Sequence, residues 1–310
     1  MARSIEDRLA ALRRDPTSID VTDALRSKIG VLVAAATPHA SALGLVDELV
    51  PAFERLIEDG VKRDPTCRGK VALARTLHEL DRWDDAVFVP GVALEQFEPA
   101  YGKPVDTATE LRGICGLAHV HFARPDALDV LAKLLADPEV VPRIAAAKGL
   151  GDTGRADASA LLRYKILLGD DEPDVVAACF ESLLTLTGER ARDFIAGFLE
   201  SHDDRSELAV LALATSRLDE TLPPILLWCE RALPEQRGRV GYLALALMRR
   251  DDATAHLLQV IERGAPRDAI AAGRALATFK DDPAVRTQLA AAAKAQPDRA
   301  ARAELAKLGM

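Results

Sequence analysis

Apolar residues recur along this chain in a repeating arrangement, and residues 141–154, VPRIAAAKGLGDTG, are its clearest copy. An alanine-rich stretch ends at a leucine, here Leu150, and glycine and aspartate follow. Similar stretches end at leucines 29 to 40 residues apart. These leucines are Leu77, Leu117, Leu150, Leu183, Leu213, Leu247 and Leu276, with a weaker copy ending at Ala35. A period of about thirty-three residues is typical of proteins built from repeated helical pairs.

A second apolar stretch lies between successive leucines, and its spacing also predicts a helix. In residues 158–168 the apolar side chains fall at i, i+3 and i+4, which places them on one helical face. Glycines and Asp-Pro pairs separate the stretches, as in residues 136–140 and 151–157. Glycine ends a helix in the left-handed conformation, and Asp-Pro begins the next one. Each unit is therefore predicted to be a helix–turn–helix, with seven or eight units in the chain.

The repeat period predicts how these hairpins pack. One hairpin cannot bury its apolar face alone, so neighbouring hairpins must stack to cover it. Alanines at residues 145–147 would let the backbones approach closely, and the leucines would fill the remaining volume. We therefore predict an all-α fold, a right-handed α-solenoid. Residues 1–64 would form N-terminal helices and a weak first repeat, and residues 65–310 a repeat solenoid continuous with them.

Composition and charge agree with this fold and narrow the classes of partner. Apolar residues make up 49% of the chain and aromatic residues only 4%, so the core must consist of Ala, Leu and Val. The net charge of −8 argues against a general affinity for nucleic acid or anionic membranes. Residues 234–310 carry a local charge of +4, which fits either guidance of a partner or an ordinary solvated surface.

Three features of the sequence predict a cytoplasmic location. No window approaches the roughly 20 apolar residues of a membrane span, so no membrane association is predicted. The first residues have acids among their bases and lack the apolar core of a secretory signal. The four cysteines, Cys67, Cys115, Cys179 and Cys229, are far apart, which is typical of reduced thiols.

The residues around Leu150 carry a family resemblance. Residues 137–176 resemble the HEAT-like repeats of the phycobilisome-lyase type, whose theme is Asp-Pro, Val-Arg, Ala-Ala and Ala-Leu-Gly. The matching positions are Asp137, Pro138, Val141, Arg143, Ala146, Ala147, Leu150 and Gly151, with an echo at Asp282, Pro283, Val285 and Arg286. Through its period the resemblance covers roughly residues 65–295. Residues 80–99 are also similar to the second helix of a tetratricopeptide repeat, which we keep as a minor alternative for that region.

The chain offers no residue set typical of catalysis or metal binding. The single His78-Glu79 pair fits a helix surface better than a di-iron site, which needs several such pairs. His119 and His121 would point in opposite directions from a helix and cannot hold one ion together. Adjacent aspartates, as at Asp170-Asp171, suit helix caps, and no nucleotide loop or nucleophile elbow occurs. We predict no cofactor, no metal and, on balance, no enzyme activity.

The longest gap between anchor leucines, residues 87–111, is the first candidate for partner binding. It holds three prolines and three aromatic residues in a chain where aromatic residues are scarce. The aromatic residues are Phe88, Phe97 and Tyr101. We expect an extended loop that contributes to a binding surface; the alternative is a loop that packs back on the stack.

The second helices of the units are the other candidate surface, since in such solenoids they usually line the concave side. Aromatic residues and arginines are frequent binding anchors. Those on the predicted second helices are Arg163, Tyr164, Arg192, Trp228 and Arg231, and the helical phase also permits Trp228 to lie in the core.

These features favour a protein-interaction scaffold that binds a partner protein. The alternative is a nucleic-acid binder that resembles the HEAT-like DNA glycosylases, which would require basic residues on the inner helices. A bilin-lyase activity is implied by the type of repeat alone. The oligomeric state is left open.

Overall fold

The computed structural model describes residues 4–201 and 203–308, and this part of the chain is almost entirely helical. The only strands in it are two short ones, so the predicted all-α fold is confirmed. Its contacts divide the chain into two compact units, unit 1 (Met1–Gly154) and unit 2 (Arg155–Met310). No helix among these residues has the length and apolar character needed to cross a membrane.

Unit 1 is built from ten helices and one small hairpin. Helices α3, α6, α8 and α10 pack side by side in that order, and α4, α7 and α9 flank them. The helices are α1 (Ile5–Arg14), α2 (Ser18–Leu25), α3 (Gly30–Ala36), α4 (Leu49–Ile57), α5 (Gly60–Arg63), α6 (Arg68–Glu79), α7 (Asp85–Gly91), α8 (Thr109–His121), α9 (Ala127–Leu135) and α10 (Val140–Asp152), and the strands are β1 (Phe97–Glu98) and β2 (Val105–Asp106). Because α3 and α4 contact α6, the residues before and after position 64 pack together.

Unit 2 repeats the same arrangement. Helices α12, α14, α17, α19 and α21 pack side by side, and each contacts one or two of α11, α13, α15, α18 and α20. The helices are α11 (Ala158–Leu168), α12 (Pro173–Thr187), α13 (Glu189–Ala196), α14 (Asp204–Thr215), α15 (Leu222–Arg231), α16 (Pro234–Gln236), α17 (Tyr242–Met248), α18 (Asp251–Arg263), α19 (Pro266–Ala277), α20 (Pro283–Ala295) and α21 (Arg299–Leu308), with a π-helical turn at Arg237–Gly241. Stacked helical hairpins are thus found in both units.

The anchor leucines mark the first helix of each pair. Five of the seven are buried, whereas Leu117 and Leu247 are only partly buried, and their neighbours Ala118 and Met248 take the core positions. Each leucine from Leu77 to Leu247 is followed within six residues by a residue with positive φ. These residues are Asp81, Ala123, Gly154, Gly188, Arg217 and Arg249. A residue with positive φ at the end of the first helix is therefore shared by these repeats.

Small residues allow the close helix packing that the sequence predicts. Ala146 and Ala147 are fully buried in α10. A β-carbon added at Gly149 would lie 3.0 Å from Cδ2 of Leu131 in α9, so a larger residue there would press against the Leu131 side chain.

The tetratricopeptide alternative for residues 80–99 is wrong. Helix α7 ends at Gly91, and the chain then continues into β1 rather than into a long second helix.

Candidate interaction surface

The long gap in unit 1 contains a β-hairpin between α7 and α8, where the sequence predicts only an extended loop. β1 and β2 pair antiparallel, with Phe97 opposite Asp106 and Glu98 opposite Val105. Residues 99–104 form the tip, all of them exposed, and Gly102 turns the chain with φ of 110°. The strands were missed because two residues are too few to show the alternation typical of a strand, and Pro99 and Pro104 lie directly beside them.

Three apolar side chains of this hairpin face solvent. Phe97 is 55% exposed, Val105 is 53% exposed, and Tyr101 at the tip is fully exposed. We call Phe97, Tyr101 and Val105 the hairpin surface. Exposed aromatic groups on a projecting element are typical of protein-binding sites.

Asp106 fixes the base of the hairpin. Its carboxylate accepts hydrogen bonds from the backbone N of Gln96 (2.9 Å) and of Ala108 (3.0 Å), and from Nη1 of Arg112 (2.5 Å). Burial alone would raise the pKa of Asp106, but these three donors together lower it below its ordinary value. The carboxylate therefore stays ionised and holds both ends of the hairpin to α8.

Glu98 adds a second anchor on the other side of the hairpin. Its Oε1 accepts hydrogen bonds from the backbone N of Thr66, from Nε2 of Gln96 and from Oγ1 of Thr107, each 2.7 Å long. Burial raises the pKa of Glu98, and the three hydrogen bonds outweigh it, so the net pKa is lowered. β1 is thereby tied to the turn before α6.

A buried ion pair lies beneath this turn. Nζ of Lys70 is 3.0 Å from Oδ2 of Asp64, and neither side chain is exposed to solvent. The Asp64 carboxylate also accepts hydrogen bonds from the backbone N of Gly69 and Lys70, and its backbone carbonyl accepts one from Nε2 of Gln96. A buried charge pair is tolerated only when such additional hydrogen bonds satisfy it.

Arg112 connects the hairpin base to the next repeat. Besides Asp106, its guanidinium donates to the backbone carbonyl of Leu94 (2.9 Å) and, through Nε (2.8 Å) and Nη2 (3.0 Å), to the carboxylate of Asp137. Asp137 is the aspartate of the Asp-Pro motif before α10. One guanidinium thus joins the hairpin, α8 and the turn between α9 and α10.

Phe88 does not belong to the exposed surface, although the sequence places it among the candidate binding residues. Its side chain is completely buried and stacks on Trp83 at 5.0 Å between ring centroids. The amphipathic phase of α7 turns Phe88 toward the core and leaves its neighbour Val89 exposed. We therefore remove Phe88 from the candidate site.

The ends of α6 and α8 bring histidines together in a way the sequence did not reveal. The rings of His78 and His121 meet edge to face, 4.8 Å apart, and Nε2 of His121 lies 2.6 Å from Oδ1 of Asp81. Burial, and then the nearby His121, lower the pKa of His78. His119 points the other way and is buried, with Nδ1 2.8 Å from the carbonyl oxygen of Cys115. His202 lies outside the described residues.

No group of three or more His, Cys, Asp or Glu side chains in residues 4–201 and 203–308 is arranged to hold a metal ion. All four cysteines are buried free thiols. Burial raises the pKa of Cys67, Cys179 and Cys229 to about 12 and also raises that of Cys115, so these thiols are poor nucleophiles.

In unit 2, Tyr164 lies on an exposed apolar face of α11. Tyr164 is 66% exposed, and Leu167 and Leu168, three and four residues later, are exposed to a similar degree. The opposite face of α11 buries Ala158, Leu162 and Ile166. The prediction of a single apolar face is therefore wrong for Leu167 and Leu168.

Two predicted arginines join neighbouring helical pairs in unit 2. The Arg163 guanidinium lies 4.4 Å from the ring centroid of Phe194 and donates to the carbonyl of Arg190. Arg192 forms ion pairs with Glu189 (2.6 Å) and Glu220 (3.0 Å). Because both side chains already have intramolecular partners, they are less available to bind another protein.

Trp228 and Arg231 line one groove of about 350 Å³ in unit 2, together with Leu199 and Leu227. Trp228 is 2% exposed, and its Nε1 donates to Oγ of Ser206 at 3.2 Å. Its ring therefore belongs to the core, and only a small part of it is accessible from the groove. Arg231 is exposed and has no ion-pair partner among the described residues.

The sequence comparisons agree with the helical repeats. Residues 128–214 match the family model of HEAT repeats, which covers α9 to α14 in large part. A search of curated proteins found no significant match. The phycobilisome-lyase subtype stays a prediction. Residues 128–214 are therefore similar to HEAT repeats.

Proposed function

We propose that this protein is a non-catalytic interaction scaffold that binds a partner protein through the hairpin surface. HEAT repeats suit this role in general, because stacked helical pairs offer long surfaces for other proteins. The proposal rests mainly on one observation: Phe97, Tyr101 and Val105 are each exposed on a hairpin whose base is held by ionised, hydrogen-bonded side chains. The strand register places Phe97 and Val105 on opposite faces of this hairpin. A pre-ordered apolar element loses little conformational entropy when it binds.

Unit 2 offers its own, separate candidate contacts. Tyr164 is exposed on α11. Arg231, which has no ion-pair partner in the described part of the chain, lines a groove that also contains Leu227, Asp193 and Glu200. Tyrosine and arginine are enriched among residues that dominate binding energy. We keep these two residues as secondary contacts, ahead of Arg163 and Arg192.

The test is recovery of partner proteins from the native host with the full chain as bait. The double variant Phe97→Ala/Tyr101→Ala should lose the partners that the wild-type chain retains. Ile19→Ala/Val31→Ala is the matched control, because it removes two exposed apolar side chains from α2 and α3. Equal recovery by all three proteins, with unchanged unfolding temperatures, would rule out the hairpin surface.

Nucleic-acid binding is the second candidate, and it has one observation in its favour. Helices α20 and α21 expose four cations without an ion-pair partner among the described residues, namely Arg286, Lys294, Arg299 and Arg302. Phosphate contacts make binding strongly dependent on salt. A gel-shift assay with duplex DNA at low salt tests this candidate, and no shift at low salt would eliminate it.

A further inference from the structure

A pocket in unit 2 is lined by three arginines. It has a volume of about 520 Å³ and lies where α14 and α17 end and where α15 and α18 begin. The arginines are Arg217, Arg249 and Arg250. Ala214, Leu218 and Met248 supply an apolar part of the lining. It shares no residue with the hairpin surface.

Arg217 and Arg249 occupy equivalent positions in successive repeats. Each follows the first helix of its pair, and each adopts the left-handed conformation, with φ of 57° and 52°. The same position in the two preceding repeats is glycine, at Gly154 and Gly188. For a residue with a β-carbon this conformation costs roughly 1–2 kcal/mol. The positive φ itself is shared with other repeats, as at Asp81 and Ala123, and here it falls on two arginines that line one pocket.

The charges of Arg217 and Arg249 are not neutralised within the described part of the chain. Neither has an ion-pair partner there, and the Arg249 guanidinium lies 5.1 Å from the ring centroid of Phe279. This contrasts with Arg192, which forms several ion pairs. A flat aromatic ring positions a guanidinium without satisfying its hydrogen-bond donors.

Arg250 and Asp219 contribute less positive charge to the pocket than the other two arginines, because Arg250 is paired and Asp219 is acidic. Arg250 is held by Asp252 through Nε (3.1 Å) and Nη2 (2.9 Å), so its charge is largely compensated. Asp219 is the one acidic residue in the lining of this pocket. The remaining positive charge belongs to Arg217 and Arg249, and Asp219 offers an acceptor for a hydroxyl or amine next to the bound anion.

We propose that this pocket binds the phosphate group of a phosphate-bearing ligand. Arginine binds phosphate through two parallel hydrogen bonds, and two uncompensated guanidinium groups match the charge of a phosphate monoester. The apolar lining receives the uncharged part of the ligand. This site is separate from the proposed protein-binding function, and either can fail without the other.

Calorimetric titration of the full chain with inorganic phosphate, at constant ionic strength, tests the site. Wild-type protein should bind, and Arg217→Gly/Arg249→Gly should bind about tenfold more weakly or not at all, because each arginine supplies charge-assisted hydrogen bonds. Glycine fits the left-handed conformation of both positions, so unfolding cannot explain the loss. The control is Arg263→Gln/Arg274→Gln, which removes two other exposed arginines from α18 and α19.

Absence of binding to wild-type protein would overturn the proposal, as would equal affinity in the glycine variant or an equal loss in the control. Titrations with glycerol 3-phosphate and with a phosphoserine peptide separate the two sources of the phosphate group, a small metabolite or a modified protein segment. Binding of either supports the site, and the tighter one identifies the source.

Discussion

Arg112 of α8 and Asp137, the aspartate before α10, form a two-point hydrogen bond between successive repeats, with Nε–Oδ2 2.8 Å and Nη2–Oδ1 3.0 Å. The same guanidinium also binds Asp106 at the base of the hairpin. The aspartate of an Asp-Pro motif thus stabilises more than its own helix, since it also accepts an arginine from the preceding repeat.

Replacement of Arg112 by Met should destabilise unit 1 strongly. It would leave two carboxylates without their cation, and removal of one partner from a buried ion pair costs about 3–5 kcal/mol. The shift of the urea unfolding midpoint measures the loss. Arg75→Met is the control, because Arg75 and Glu110 form an exposed pair, worth about 0–1 kcal/mol. Similar shifts for both variants would contradict a structural role of the Arg112 network.

The lowered pKa of Asp106 predicts that the folded protein loses stability in acid. Its folded-state pKa is lowered, so its contribution is complete above the pKa of the unfolded chain and declines as pH falls through the folded-state pKa. We expect the unfolding temperature to drop below about pH 4. Asp106→Asn should be less stable at pH 7 and should lose part of this acid dependence. An unchanged slope between pH 5 and pH 3 would show that Asp106 does not contribute.

The lowered pKa of His78 predicts a second change in stability, nearer neutral pH. Its folded-state pKa is lowered, chiefly by burial and then by His121, so the folded chain takes up a proton less readily than the unfolded chain. Stability should be complete above about pH 6.5 and should decline as pH falls below it. His78→Gln should flatten the curve of unfolding temperature between pH 7 and pH 5. The two curves running in parallel would contradict this.

The positive φ at the helix ends predicts that exchanging alanine for glycine stabilises the fold and that exchanging glycine for alanine destabilises it. Ala123 has φ of 50° and Gly188 has φ of 53°, with no atom within 4 Å of a β-carbon placed at Gly188. Ala123→Gly should raise the free energy of unfolding by up to about 1 kcal/mol. Gly188→Ala should lower it by about 1–3 kcal/mol, because Gly188 has ψ of −127°, a backbone region that residues with a β-carbon rarely adopt. Thermal unfolding of the two variants measures both. Effects of the same sign would show that backbone conformation does not control stability here.

The repeat architecture could be predicted from sequence because its cause is local. The period of the alanine-rich stretches that end in leucine predicted the first helix of each pair, and Gly154 and Gly188 indicated where two of these helices end. Ala123, Arg217 and Arg249 also have positive φ, but residues with a β-carbon do not favour it, so these helix ends had no signal in the sequence.

The candidate site could be predicted only in part. Scarcity of aromatic residues pointed to Phe97 and Tyr101, but the same argument included Phe88, whose burial depends on stacking with Trp83. The network that holds the hairpin joins residues far apart along the chain, as with Asp64 and Gln96. No local periodicity reports such pairs, so the hairpin was expected to be a loop.

The hairpin tip has a consequence for evolution and engineering. None of its six residues, 99–104, is buried, and repeats of this kind contact only their neighbours. Selection can therefore rewrite the tip while the anchoring residues below it stay fixed. Transplanting these six positions from a related chain should exchange recognition without disturbing helix register, much as antibody frameworks accept new loops.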